Sequence, residues 1–169
     1  MLTGSFASAY HGTPRATQDI DLVIAPTPER LRRLVALLPP TEYYVSEEAA
    51  LDACAREAQF NVVDLDTGWK IDLIIRRSRP FSLAEFERRL PVDLEGIRMY
   101  IAAAEDVIIA KLEWAKPGEA RRQIEDAAGI LRIRGAELDL AYIRRWVGEL
   151  GLGPQWDAAQ KAGNVTRSG

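Results

Sequence analysis

The chain has one cysteine, Cys54, and one histidine, His11. A lone cysteine cannot close an internal disulfide, and the two residues together cannot build the usual zinc cage. A reducing, cytoplasmic setting is therefore expected. Apolar runs are short as well: none approaches the ~20 residues a membrane-crossing helix needs, and the start at Met1-Leu2-Thr3 has neither the charged opening nor the long apolar stretch of a signal peptide. A soluble protein with no membrane partner follows. There is no excess of charge of one sign, since 22 Lys and Arg stand against 25 Asp and Glu for a net charge of -3. That balance argues against broad, nonspecific affinity for nucleic acid and leaves room for a local basic groove. Internal repeats and low-complexity tracts are also missing. What is present is 169 residues, 47% hydrophobic and 28% charged, enough for one domain with its own core.

The elements can be read from spacing and punctuation. Met1 to Thr3 is a very short first strand, which suggests a trimmed start or a strand supplied from elsewhere. Ser5 to His11 reads as a two-turn helix of small residues, with Gly12 placed as a left-handed terminator. Pro14 forces an extended entry into a strand at roughly Asp19 to Ala25. Thr27 caps a helix with Pro28 at its first position and Leu31, Leu34, Val35 and Leu38 on one face, stopped by Pro39-Pro40. Ser46, followed by Glu47 and Glu48, caps a second helix to Glu57. Gln59 to Asp66 and Trp69 to Arg76 form a hairpin about Asp66-Thr67-Gly68. Ser82 to Leu90 is a short helix and Gly96 to Ala102 a last strand. From Ala104 the pattern is helical, near 105–116, 119–134 and 137–150. The expected organisation is an α/β core at 1–103, a helical part of the same domain at 104–150, and a polar tail at 151–169 whose turns fray.

Side chains alternate along a strand, so Asp19 and Asp21 share one face while Ile20, Leu22 and Ile24 point to a core on the other. Two close acids on one exposed face invite a hard cation, and magnesium takes oxygen ligands. Upstream, the Gly4-Ser5 helix start offers backbone amides and a hydroxyl to phosphate oxygens, and Arg15 suits a phosphate clamp. Downstream, Asp72 lies between Ile71 and Leu73 on another strand. It is the natural third carboxylate, both a metal ligand and the base that deprotonates an acceptor hydroxyl.

The run from Gly4 to Ile24, together with Lys70-Ile71-Asp72-Leu73-Ile74, resembles the nucleotidyltransferase superfamily that includes DNA polymerase beta and the minimal nucleotidyltransferases. The long spacer His11-Gly12-Thr13-Pro14-Arg15-Ala16-Thr17 is similar to that of bacterial proteins related to the AbiEii-type toxins. Those toxins also carry a helical lysine and an Arg-x-x-x-Asp pattern, which Lys111 and Arg122 with Asp126 resemble loosely. The resemblance implies a short mixed sheet flanked by helices, with a C-terminal helical segment. It implies transfer of a nucleoside monophosphate from a nucleoside triphosphate to a hydroxyl of RNA, protein or a small molecule. In that reading Asp19, Asp21 and Asp72 hold Mg2+ or Mn2+, and Gly4, Ser5, Arg15 and Lys111 contact the nucleotide. A protein partner of toxin–antitoxin type is expected with it. The alternative is a noncatalytic member that uses the fold to bind a partner.

Several residues have plainer readings. Asp64 and Asp66 flank the predicted turn, where exposed acids are ordinary. His11 fits a packed, hydrogen-bonded histidine better than a ligand, and Ser5 fits capping or phosphate contact better than a nucleophile. Arg15 suits a salt bridge as well as a phosphate, and Lys111 suits a surface lysine. Arg76, Arg77 and Arg79 line either an acceptor groove or a solvated loop. Trp69, Trp114, Trp146 and Trp156 are expected in the core or at an interface rather than as stacking platforms.

Overall fold

The computed structural model describes residues 1–14, 16–115 and 120–164. The elements run α1 (Gly4–His11), β1 (Asp19–Ile24), α2 (Pro28–Ala36), β2 (Tyr43–Tyr44), α3 (Glu47–Arg56), β3 (Gln59–Asp64), β4 (Lys70–Ile75), α4 (Pro80–Glu87), β5 (Leu90–Leu94), β6 (Ile97–Ile101), α5 (Ala104–Trp114), α6 (Ala120–Arg134), α7 (Leu140–Glu149) and α8 (Gly153–Asn164). Local chemistry accounts for many of the boundaries. The Thr27 hydroxyl accepts from the Arg30 amide ahead of Pro28, and the Ser46 hydroxyl accepts from the Ala49 amide. Asp64 accepts from the amides of Asp66 and Thr67 and so closes the β3–β4 turn, with Gly68 at φ 73°.

A mixed four-stranded sheet has the order β1-β4-β3-β2. The β1–β4 pair is parallel, with Asp19 opposite Lys70 and Asp21 opposite Asp72, while β4–β3 and β3–β2 are antiparallel. One face carries Phe60, Val62, Leu73 and Ile75 against Leu31 of α2 and Ala50 and Ala53 of α3. A second core gathers Leu2, Ala7 and Phe81 with Val107, Ile108, Ile109 and Leu112 of α5 and the buried faces of α6, α7 and α8.

The first three residues join the two sheets. Thr3 donates to the Asp21 carbonyl, Val23 to the Met1 carbonyl, Leu2 to the Tyr100 carbonyl and Ala102 to the Leu2 carbonyl. The strand expected there is thus a bridge, Leu2 pairing with both Leu22 and Ile101.

Three expectations change. Gly12 ends α1 at φ -130°, not in the left-handed region. Glycine is required there by close approach, because a Cβ would lie 2.9 Å from the Ile130 backbone nitrogen on α6. The segment 90–94 is a strand that pairs with β6 about Glu95-Gly96, both at positive φ, in a two-residue turn. Pro91 weakens the strand signal of this segment in the sequence. The chain after Gly151 is not a polar tail as far as Asn164: Leu152, Trp156 and Ala159 are buried, and α8 packs along α6. Among the tryptophans, Trp146 and Trp156 are core residues, whereas Trp69 and Trp114 are exposed.

Candidate active site

The face of the sheet opposite α2 and α3 is charged. Alternation sends Asp19 and Asp21 of β1 and Lys70 and Asp72 of β4 to that face, and the parallel register sets Asp21 level with Asp72. Asn61, opposite Asp72, and Gln59, opposite Ile74, extend the polar row onto β3. Above it lies a cavity of about 300 Å3 whose walls include Gly4, Ser5, Asp21, Asp72, Lys111 and Gln123.

Asp21 sits at the start of α1. Its carboxylate accepts from the Ser5 amide, in the position a capping side chain would fill, and Thr3 itself makes no side-chain cap. Burial pushes the Asp21 carboxyl above its ordinary range; the Ser5 amide opposes that, Asp72 adds to it, and Lys111 opposes it again. Gly4 makes this approach feasible. Its φ is 60°, and a Cβ on it would fall 1.9 Å from Asp21 Oδ2. The Gly-Ser turn expected to offer its amides to phosphate therefore already gives one of them to a carboxylate.

The three carboxylates expected to gather do not form one cluster. Asp72 is buried at 9% exposure and shares the cavity with Asp21, but Asp19 is exposed and outside it. Lys70 stands between, its Nζ 3.0 Å from Asp72 and 3.6 Å from Asp19. The hydrogen bond to Asp72 is the first cause that holds the Lys70 ammonium above its ordinary range. Among the described residues no group of three or more His, Cys, Asp or Glu side chains is arranged to hold a metal ion. Asp21 and Asp72 do fit one as a pair, because magnesium is commonly held by one or two carboxylates and completes its shell with water and substrate phosphates.

The helical residues come to the same place. Lys111 of α5, 5% exposed, pairs with Asp126 of α6 at 2.7 Å and lines the cavity. It is not the surface lysine that its amphipathic helix suggested. Arg122 is exposed and absent from the cavity wall. Arg15 lies outside the described residues. His11 is buried and donates from Nε2 to the Ala102 carbonyl at 2.8 Å, and Asp64 points to the other side of β3 from Asn61, so both have the structural roles expected of them. Sequence reasoning missed Lys70 as part of the charged row, although the alternation Lys70-Ile71-Asp72 carries the signal. Gln59, Gln123 and Trp114, which also line the cavity, had none.

The mixed sheet and the helices around it form a nucleotidyltransferase-like α/β fold. The chain is similar in structure to an antigenic nucleotidyltransferase-like protein from Paracoccidioides brasiliensis, with a TM-score of 0.53 and 13% identity over 95% of this chain and 83% of that one. No family model matches the sequence, and no curated protein matches it. Among the described residues no helix is long and apolar enough to cross a membrane.

Proposed function

We propose that the protein is a metal-dependent nucleotidyltransferase, moving a nucleoside monophosphate from a nucleoside triphosphate to an acceptor hydroxyl. The observation that carries this reading is the register of β1 and β4, which sets Asp21 beside Asp72 in a cavity at the α1 start. Asp21 and Asp72 are the residues that would hold Mg2+, or Mn2+ in its place. When bound, the ion neutralises phosphate charge and supports the leaving group. Asp72 takes the proton of the acceptor hydroxyl, whose oxygen forms a bond to the α-phosphorus as the bond to the bridging oxygen breaks and pyrophosphate leaves. Lys111, neutralised in part by Asp126, gives the cavity wall a cation that favours phosphate oxygens. The remaining amides of the α1 start, near Gly4, favour the same charge, and Arg15 would clamp a phosphate. Asp19 joins the set only by leaving Lys70.

Kinship with the AbiEii-type toxins, a toxin–antitoxin partner and a cytoplasmic setting belong to the same proposal. The Lys111–Asp126 pair supports the first, since these are the helical positions through which the sequence resembles those proteins.

A second reading, a noncatalytic binding module, draws on two observations. Lys70 already neutralises Asp19 and Asp72, and the Ser5 amide is already used by Asp21. The deciding experiment is label transfer from each of four α-labelled nucleoside triphosphates, with Mg2+ or Mn2+, into cellular RNA and protein. Label that disappears in Asp21→Ala and Asp72→Asn is expected. Label that persists in both variants, or none above them, together with no rise in melting temperature from magnesium and nucleotide, would overturn the enzyme in favour of the module.

A further inference from the structure

The polar row does not end at Asp72. Continuing the alternation along β4 brings Ile74 and then Arg76 to the same side, and Arg76 is still in the ladder, its amide donating to the Ile24 carbonyl at 2.8 Å. Four residues of strand put the Arg76 backbone roughly 13 Å from that of Asp72. There a second cavity opens, about 440 Å3 in volume, with Arg76, Arg77, Arg79, Phe81, Glu85 and Trp114 in its wall. Thr3, Gln59, Ile74, Ala110 and Trp114 line both cavities, so the two adjoin along the sheet.

The charges of this second cavity are unbalanced. Arg79 is committed to a bidentate pair with Glu113. Glu57, at the rim, accepts from the amide and hydroxyl of Ser78, and these bonds, with the nearby Arg77 and Arg76 charges, hold its carboxyl below the ordinary range. Among the described residues neither Arg76 nor Arg77 forms a salt bridge. The Arg76 guanidinium lies 5.3 Å from the Phe86 ring centre, and its buried Nε–H has no acceptor. Glu85, a third acid in the wall beside Glu57 and Glu113, is buried, and its carboxyl is pushed up to about 8, first by that burial and then by Asp106. It is therefore mostly protonated at neutral pH, so the three arginines of the wall face two charged carboxylates, Glu57 and Glu113, and one positive charge is left over. Two guanidiniums outside any salt bridge, with one positive charge in excess, beside a half-enclosed volume of this size are matched by a phosphate group on a ligand.

We propose that the Arg76–Arg77 cavity binds a phosphate group of the acceptor, so that the hydroxyl nucleotidylated at Asp72 belongs to a phosphate ester. This rests on the nucleotidyltransferase reading above. The distance along β4 separates the attacking hydroxyl from the anchoring phosphate, and the shared wall of Gln59, Ile74 and Trp114 supports the body of the molecule between them.

The test is thermal melting of the full chain with inorganic phosphate, with dimethyl phosphate, and with chloride at matched ionic strength, each repeated with magnesium and a nonhydrolysable ATP analogue at saturation. Inorganic phosphate stands for a monoester and dimethyl phosphate for the diester linkage of RNA, and the stronger of the two identifies the source. A rise of about 3 °C over chloride is expected, additive with the nucleotide shift. Arg76→Gln with Arg77→Gln should lose the phosphate shift and keep the nucleotide shift. Arg77→Gln alone, at an exposed position, should lose part of it and guards against misfolding of the double variant. A phosphate shift that survives in the double variant would overturn the proposal, as would one abolished by saturating nucleotide. If nucleotide gives no shift while the phosphate shift still depends on Arg76 and Arg77, the anion site stands and the nucleotidyltransferase reading fails.

Discussion

The two faces of the same four strands have opposite chemistry. One carries Phe60, Val62, Leu73 and Ile75 into an apolar core under α2 and α3. The other carries Asp19, Asp21, Lys70, Asp72 and Asn61, of which Asp21 and Asp72 line a cavity roofed by α1, α5 and α6. Since neighbouring residues on a strand belong to different faces, Asp72 lies directly between two core residues, Ile71 and Leu73. The packed face thus fixes where the charged face can be. Asp21 and Asp72 are level because the apolar residues beside them are locked in register, and a slip by one residue would exchange core for site.

Substitutions on either side can separate the two contributions. The largest effect is expected for Asp72→Asn, which keeps the shape and removes the base. Nucleotide transfer should fall about 100- to 10,000-fold while the melting temperature changes little, measured by label incorporation and by thermal unfolding of the same preparation. On the other face Phe60→Ala should cost about 3–5 kcal/mol of stability by denaturant titration, through lost burial and the cavity it leaves. If both substitutions reduced stability alike, the division between the faces would be wrong.

Gly4→Ala lies on the boundary. The added methyl would meet the Asp21 carboxylate in a backbone conformation that alanine disfavours, so a loss of about 2–4 kcal/mol is expected together with weaker nucleotide binding. Unchanged binding by calorimetry would show that the Asp21 position is dispensable.

The pH dependence offers a smaller probe. Glu85 faces Asp106 and Glu113, with Arg79 and the Met1 amino group as opposing cations. Its carboxyl is pushed from the usual 4.5 up to about 8 in the fold. The native protein holds this proton while the unfolded chain releases it, so the associated stability is fully present below about pH 4.5 and is lost as pH rises toward 8. Glu85→Gln should flatten the decline in melting temperature across that window; a parallel decline in the variant would assign it to other groups. The smallest effect is expected for Lys70→Ala. Its pairs with Asp19 and Asp72 are partly exposed, so stability should change by less than about 1 kcal/mol, while Mn2+ binding followed by calorimetry should tighten as the competing ammonium is removed.

Much of this was legible before the fold was known. The helix caps at Thr27 and Ser46, the Asp64 turn and the common face of Asp19 and Asp21 all rest on local stereochemistry, which acts over a few residues. The α8 helix was hidden by its composition: Gly151, Gly153 and Gly163 weaken a helix signal, and burial of Leu152 and Trp156 against α6 outweighs it. The dispersal of the three carboxylates was hidden for another reason. Alternation puts Asp19 on the right face, but its charge is answered by Lys70, which comes from a different strand.

The sequence by itself determined the period of the strands, the helix ends and the kinds of side chain on each face, because backbone geometry and capping are set by neighbours along the chain. Only the tertiary structure decided that β1 lies parallel to β4, that Lys111 meets Asp126, that Lys70 divides the carboxylates, and that a cavity with two arginines outside any salt bridge adjoins the site. Each of these depends on how distant segments bury their apolar faces together, and that choice is made by the whole core.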